Sequence, residues 1–221
     1  MAKPLSTASP PTPPEAPRDC PLCPRLVAYR EANQRAEPTW FNGAAPSFGD
    51  PNARLLIVGL APGRGGANRT GRPFTGDYAG ELLYSTLKKF GFSTGTFRAD
   101  PNDDVKLKSA MITNAVRCAP PENKPTPAEI ATCRAFLTAR LDASPKLKVV
   151  FALGAIAHES VLRAHGLKPS HAKFAHGCEA ALPQARTLIS SYHCSRYNTQ
   201  TRRLTTEMFE AVFARAKELL G

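Results

Sequence analysis

"RLLIVGLAPGRGGANRTGRPFTGD", residues 54–77, joins an unbroken apolar run to a glycine-rich loop and then to a helical pattern. A run that is apolar at every position and bounded by glycine reads as a strand covered on both faces. Three further runs share that character: "SAMITNAV" near 109–116, "KVVFALG" near 148–154 and "TLISSYH" near 187–193. Helical patterns lie between and after them. "DYAGELLYSTLKKFG" puts Leu83, Leu87 and Phe90 on one face and stops at Gly91. "TPAEIATCRAFLTARLD" opens with a Thr126/Glu129 capping box and Pro127 at the first helical position. The last helix repeats Phe209, Val212, Phe213, Ala216 and Leu220. The reading is α/β: a three-layer α/β/α sandwich around a four-stranded parallel sheet, with function at the carboxyl ends of the strands.

The chain of 221 residues, 42% hydrophobic, is long enough to bury one full core. Residues 1–17, "MAKPLSTASPPTPPEAP", hold almost no large apolar side chain and read as a flexible proline-rich tail; residues 18–221 form a single domain. The balance of 29 Lys+Arg against 18 Asp+Glu, a net +11, favours a polyanionic partner, nucleic acid first. No run approaches the length needed to cross a bilayer, and the N-terminus has no apolar h-region, so the expected location is the cytoplasm. There, six cysteines serve as ligands or core residues rather than disulfides.

Each informative loop follows a strand: Gly59 to Asp77, Asn114 to Cys118, and His193 to Thr205. The glycine loop is not a triphosphate cradle, because no Gly-Lys-Ser/Thr occurs. It is not a dinucleotide fingerprint either, since Asn68 stands where the third glycine belongs. It offers Gly59, Gly63, Gly65 and Gly66 for close backbone approach, with Arg64, Arg69 and Arg72 as cationic forks. Phe74 beside it suits stacking of a nucleobase, worth about 1–3 kcal/mol per base, as well as an ordinary place in the core. Asp77 opens a helix, where aspartate commonly caps. Cys20-x₂-Cys23 with Cys118 and Cys133 could close a site for zinc or an iron–sulfur cluster, while Cys133 also fits the apolar stripe of its helix.

Together, Cys20-x₂-Cys23, "GLAPG" at 59–63, "NRTGRPFTGD" at 68–77, "TNAVRCAPPENKPTPAEIATC" at 113–133 and "SYHCSRYNTQTRRLT" at 191–205 resemble family 5, the B-type enzymes, of the uracil-DNA glycosylase superfamily. The resemblance covers nearly everything outside the tail. It implies a structural [4Fe–4S] cluster on Cys20, Cys23, Cys118 and Cys133, with no catalytic metal. It also implies monofunctional excision from DNA of deaminated bases, uracil first and then hypoxanthine and xanthine, by a nucleoid-associated monomer. Base-binding residues are then Gly59, Ala61, Gly63, Phe74, Asn114 and His193. Asp77, Asn114, His193 and Asn198 carry the chemistry: His193 hydrogen-bonds the base carbonyl, and Asp77 has a part in activating or positioning water. Arg64, Arg69, Arg72, Arg196, Tyr197, Arg202 and Arg203 form the face toward DNA.

Two departures bear on that expectation. Leu60 stands where related families place a polar side chain in the first motif, which keeps open a DNA-binding protein of the same fold without catalysis. Cys194 follows His193 where many relatives have proline, which points to a looser loop and a wider base pocket. A thiol-redox protein built on Cys20 and Cys23 is the third alternative.

Overall fold

The computed structural model describes residues 13–221. In chain order its elements are α1 (Pro24–Ala36), β1 (Phe48–Gly49), β2 (Leu55–Gly59), α2 (Ala67–Thr70), α3 (Tyr78–Lys89), β3 (Ser93–Thr94), β4 (Lys106–Leu107) and β5 (Ala110–Asn114). Then come α4 (Pro127–Asp142), β6 (Val149–Leu153), α5 (Ala155–Ala164), β7 (Glu179–Leu182), β8 (Arg186–Ser191), α6 (Arg196–Gln200) and α7 (Thr206–Leu220), with 3₁₀ turns at Pro121–Asn123 and Pro169–His171.

The four apolar runs are the four parallel strands, in spatial order β5-β2-β6-β8. Every residue of β2, β5 and β6 is buried, which is why those runs show no alternation. The sheet is nonetheless six-stranded, because β1 and β7 add antiparallel edges next to β5 and β8. Two residues in β1 and the alanine-rich "EAAL" of β7 carry little strand signal; they pair because an edge is there to receive them.

Alternate strand residues feed two cores. Leu55, Ile57, Ile112 and Phe151 meet Leu83 and Leu87 of α3 and Phe209 and Phe213 of α7. Leu56, Val58, Val150 and Leu188 meet Leu137 and Leu141 of α4 and Val161 of α5. The connection leaving β2 therefore runs on one face of the sheet, while those leaving its neighbours β5 and β6 run on the other. Diverging connections open a crevice at the carboxyl end of β2. The capping box of α4 forms as the sequence predicts: Thr126 accepts from the Glu129 amide, and Glu129 accepts from the Thr126 amide at 2.7 Å.

Three features differ from the sequence reading. Residues 1–12 of the proline-rich tail lie outside the described residues, but Glu15 is bound: it pairs with Arg117 at 3.1 Å and with Arg140, and accepts from the Ser47 amide. Cys20 and Cys23 lie directly after the proline-rich tail in the sequence, yet they are packed, because α1 begins at Pro24 and places Leu26 with Val116 and Phe136 around the cysteines. Arg72 is not a DNA-facing fork. It is 5% exposed and bidentate to Asp103 at 2.7 and 2.8 Å, and it lies within 5.1–5.8 Å of the Phe48, Tyr84 and Phe97 rings. No helix among the described residues is long and apolar enough to cross a membrane.

Arg72 holds the Asp103 carboxyl at about 2, below its ordinary 3.8. Because the folded value is depressed, this stabilisation is complete above the ordinary value and is lost as pH falls toward 2. Arg72→Met strands a buried carboxylate and should lower unfolding free energy by about 3–5 kcal/mol in urea titration at pH 7. A loss within about 1 kcal/mol, the range of an exposed pair, would contradict a structural role for the pair.

Candidate active site and cysteine centre

The β2–β5 register sets Gly59 opposite Asn114 at the carboxyl end of the sheet. A Cβ at position 59 would lie 2.4 Å from Asn114 Oδ1 and 2.8 Å from Phe74 Cζ, so glycine is what lets strand, amide and aromatic meet. Above them a pocket of about 330 Å³ is lined by the glycine loop (Leu60 to Gly63, Phe74 and Asp77), by Asn114 and Asn123 at and after the end of β5, and by His193 with Ser195 and Arg196. The three polar loops do converge on one rim.

Phe74 is held in the left-handed region at φ 54°. Such a conformation costs on the order of 1–3 kcal/mol for a residue with a side chain and persists only where surroundings impose it. Gly80 permits it: a Cβ there would sit 2.1 Å from the Phe74 carbonyl oxygen. The ring, thus turned, faces the His193 imidazole with centroids 5.8 Å apart and planes 27° from parallel.

Asp77 occupies the N-cap position of α3, yet its side chain makes no capping hydrogen bond, and its buried Oδ1 has no partner. Burial raises its carboxyl above the ordinary carboxylate value, against the pull of the Gly80 and Ala79 amides. Its Oδ2 lies where a Cβ on Gly66 would approach to 2.4 Å, so the glycine loop is the wall behind it. The carboxylate therefore faces the pocket as well as the first amides of α3, without closing a capping hydrogen bond on them.

His193 keeps part of its surface at the pocket, but its ring is deep enough that burial lowers its pKa to about 4. At neutral pH it is an uncharged imidazole with one N–H to donate. Asn198 does not line this pocket. Its Nδ2 donates to the His193 carbonyl at 2.8 Å, and its amide N–H is accepted by Ser195 Oγ, so it brackets the histidine loop. Cys194 is fully buried with Sγ 3.5 Å from the Ala79 carbonyl, and with these bonds the loop is tied down rather than loosened.

Asn123 is a pocket residue that sequence reasoning missed. It stands at φ 57° after Glu122 at φ 55°, a left-handed pair in "PPENKP". Asparagine between prolines was the available signal, since it tolerates that region better than most residues.

Of the cations assigned toward DNA, Arg69, Arg196, Arg202 and Arg203 are exposed, and Tyr197 is 70% exposed. Arg196 lies over the Tyr78 ring at 5.1 Å and Arg203 over Tyr192 at 4.6 Å. Arg64 is exposed as well, with 45% of its side chain open, but it is also held by α1 and the residues after it.

Cys20, Cys23, Cys118 and Cys133 line one small apolar hollow with Leu26 and Phe136. The Arg117 amide donates to Cys133 Sγ at 3.3 Å, and Arg30 Nη1 is 4.0 Å from Cys118 Sγ. Among the described residues all six cysteines are free, and no group of three or more His, Cys, Asp or Glu side chains is gathered closely enough to hold a metal ion. Burial pushes the Cys133 thiol up to about 11 and the Cys118 thiol up to about 12, and raises Cys23. Reactive cysteines need the opposite shift, which weighs against a thiol-redox protein.

The sequence profile described as the Uracil DNA glycosylase superfamily matches residues 46–217. The chain is 50% identical over 208 residues to the Type-5 uracil-DNA glycosylase of Thermus thermophilus, covering 91% of this chain and 94% of the relative. It is 41% identical over 212 residues to the Type-5 uracil-DNA glycosylase of Mycobacterium bovis, covering 91% and 78%. The likeness to the Type-4 uracil-DNA glycosylase of Thermotoga maritima is 37% over 136 residues, covering 60% and 62%.

The ring of His193 should titrate in ¹⁵N NMR with a midpoint of about 4 and stay neutral at pH 6. A midpoint at or above the ordinary value of 6.5 would show that the imidazole is not desolvated as described.

Proposed function

The chain belongs to the uracil-DNA glycosylase superfamily, and from that premise we propose that its pocket takes a nucleotide flipped out of DNA and cleaves the bond between base and sugar. It is a uracil-DNA glycosylase, a DNA repair hydrolase acting on N-glycosyl bonds. Hypoxanthine and xanthine are further substrates in this reading, and the enzyme is a cytoplasmic monomer at the nucleoid.

The flipped base stacks on Phe74, and the Asn114 amide reads its polar edge. As the C1′–N bond lengthens, the base takes the bonding electrons and the sugar becomes oxocarbenium-like. Neutral His193 donates its N–H to the base carbonyl oxygen, where negative charge collects. Asp77 holds water on the other side of C1′ and stabilises the positive sugar. The water oxygen bonds to C1′, its proton passes to Asp77, and the base anion is protonated from solvent. Asn198 acts behind His193 and Asn123 beside Asp77. Tyr197 and the exposed Arg69, Arg196, Arg202 and Arg203 meet the phosphates and the gap left by the flipped base.

The observation that carries this reading is the Asp77 carboxylate: it sits at a helix start without capping it, with one buried oxygen unpartnered, in the same pocket as Phe74, Asn114 and His193. It also favours catalysis over the DNA-binding alternative, because it supplies the polar group that Leu60 does not.

The donor set of the cysteine hollow fits an iron–sulfur cluster. Four thiols from three segments line it, and an amide N–H already points at the Cys133 sulfur. Cys20, Cys23, Cys118 and Cys133 would hold a [4Fe–4S] centre, which when bound ties the start of α1 to the β5–α4 connection and takes no part in the hydrolysis.

Single-turnover assays on a duplex with one uracil should give strand cleavage only after alkali. Asp77→Ala and His193→Ala should each slow excision by about 10²–10⁴-fold while duplex affinity stays within about threefold. A wild-type single-turnover rate in either variant would remove that residue from the mechanism.

For the cysteine centre, the purified protein should absorb near 400 nm and carry about four irons per chain, and Cys118→Ser should lose both. A colourless wild-type protein that is folded, active and free of iron would refute the cluster.

A further inference from the structure

Sequence places Arg64 among the cations for DNA; its side chain is 45% exposed, yet its guanidinium is also engaged within the protein. Arg64 Nε donates to Asn33 Oδ1 at 2.8 Å, the guanidinium carbon lies 5.0 Å from the Trp40 ring centroid, and Nη2 is 3.9 Å from Glu37. Asn33 belongs to the last turns of α1, and Glu37 and Trp40 follow directly.

The same stretch is laid along α2, the short helix inside the glycine loop. The amides of Phe41 and Asn42 donate to the carbonyls of Arg69 and Asn68, each at 2.9 Å, and Asn68 Nδ2 donates to Asn42 Oδ1 at 3.0 Å. A Cβ on Gly71 would approach the Phe41 ring to 2.8 Å, so the two segments are in close contact. On its other side this loop is the wall of Asp77: a Cβ on Gly66 would meet Asp77 Oδ2 at 2.4 Å and one on Gly63 at 3.6 Å.

Asn33 itself is 3% exposed, and its Nδ2 has no hydrogen-bond partner. A buried amide with an orphaned donor costs about 1–3 kcal/mol relative to an apolar side chain of similar shape. The fold accepts that cost at a position where the one satisfied atom is the acceptor for Arg64.

We propose that Asn33 and Trp40 are positioning residues: by holding Arg64 they fix the Gly63–Gly66 wall against the Asp77 carboxylate, and so set the rate of excision through the loop rather than through DNA contact. This rests on the role given to Asp77 above. Displacing a catalytic group by about 1 Å can cost on the order of 10²-fold in rate, so a support of this kind belongs in the kinetics of the chemical step.

Asn33→Leu removes the acceptor and the orphaned donor together, while Asn33→Asp keeps an acceptor and removes only the donor. In Asn33→Leu the saturated single-turnover rate on uracil duplex should fall about 10-fold or more, with duplex Kd within about twofold and no loss of urea midpoint. Asn33→Asp should restore the rate. Independently of activity, hydrogen exchange of the Gly65–Gly71 amides should quicken in Asn33→Leu, and the emission of Trp40, the chain's only tryptophan, should shift as Arg64 leaves its ring. An unchanged saturated rate with weaker, less salt-dependent binding would return Arg64 to the DNA face and overturn the proposal. Unchanged exchange and emission would overturn the hold of Asn33 and Trp40 on Arg64, whatever the rate. Absence of excision by the wild type would instead overturn the reading of Asp77 on which the rate claim depends.

Discussion

The approach of Gly59 to Asn114 is the constraint from which the pocket follows. Two parallel strands in this register bring their last residues side by side, and any side chain at 59 would collide with the Asn114 amide and the Phe74 ring. Because the chain leaves β2 on the opposite face from β5, the space above that pair stays open. Into it the glycine loop returns Phe74 and Asp77, and the end of β8 delivers His193. Burial does the rest of the electrostatic work: it keeps His193 neutral, to donate without charge, and raises Asp77 toward a value at which a carboxylate can accept a proton.

Asp77 shows how local preference yields to the site. Aspartate before a helix normally satisfies an orphaned amide, and here no capping hydrogen bond closes, although the Ala79 and Gly80 amides still draw the carboxyl down. Phe74 in a left-handed conformation and Asn33 with an idle donor are costs of the same kind. All three lie in, or lead to, one loop, and the close packing around it, made possible by Gly59, Gly66, Gly71 and Gly80, holds the arrangement.

Much of this was legible in the sequence because it rests on short-range signals. Continuous apolar runs marked the four parallel strands, Thr126 and Glu129 marked the start of α4, and the loops after three strands marked the rim. What was not legible depends on partners remote in sequence. Arg72 looks like any loop arginine until Asp103 and three aromatic rings enclose it. Glu15 sits in a proline-rich segment that composition marks as loose, yet it is the counter-charge for the buried Arg117. Asn198 and Asn123 are equally polar on paper; only the turn each occupies sends one behind His193 and the other into the pocket. Residues 1–12 lie outside what the structure describes.

The most direct test of the central claim, that a buried and uncapped Asp77 carboxylate drives the hydrolysis, is the pH dependence of the saturated excision rate in wild type and Asp77→Asn. Asp77 must be ionised to act and its carboxyl is raised, so the wild-type rate should fall as pH drops through a value above the ordinary 3.8. His193 should contribute only near 4. The asparagine variant should be slow and lack that limb. An acid limb unchanged by Asp77→Asn would contradict the account.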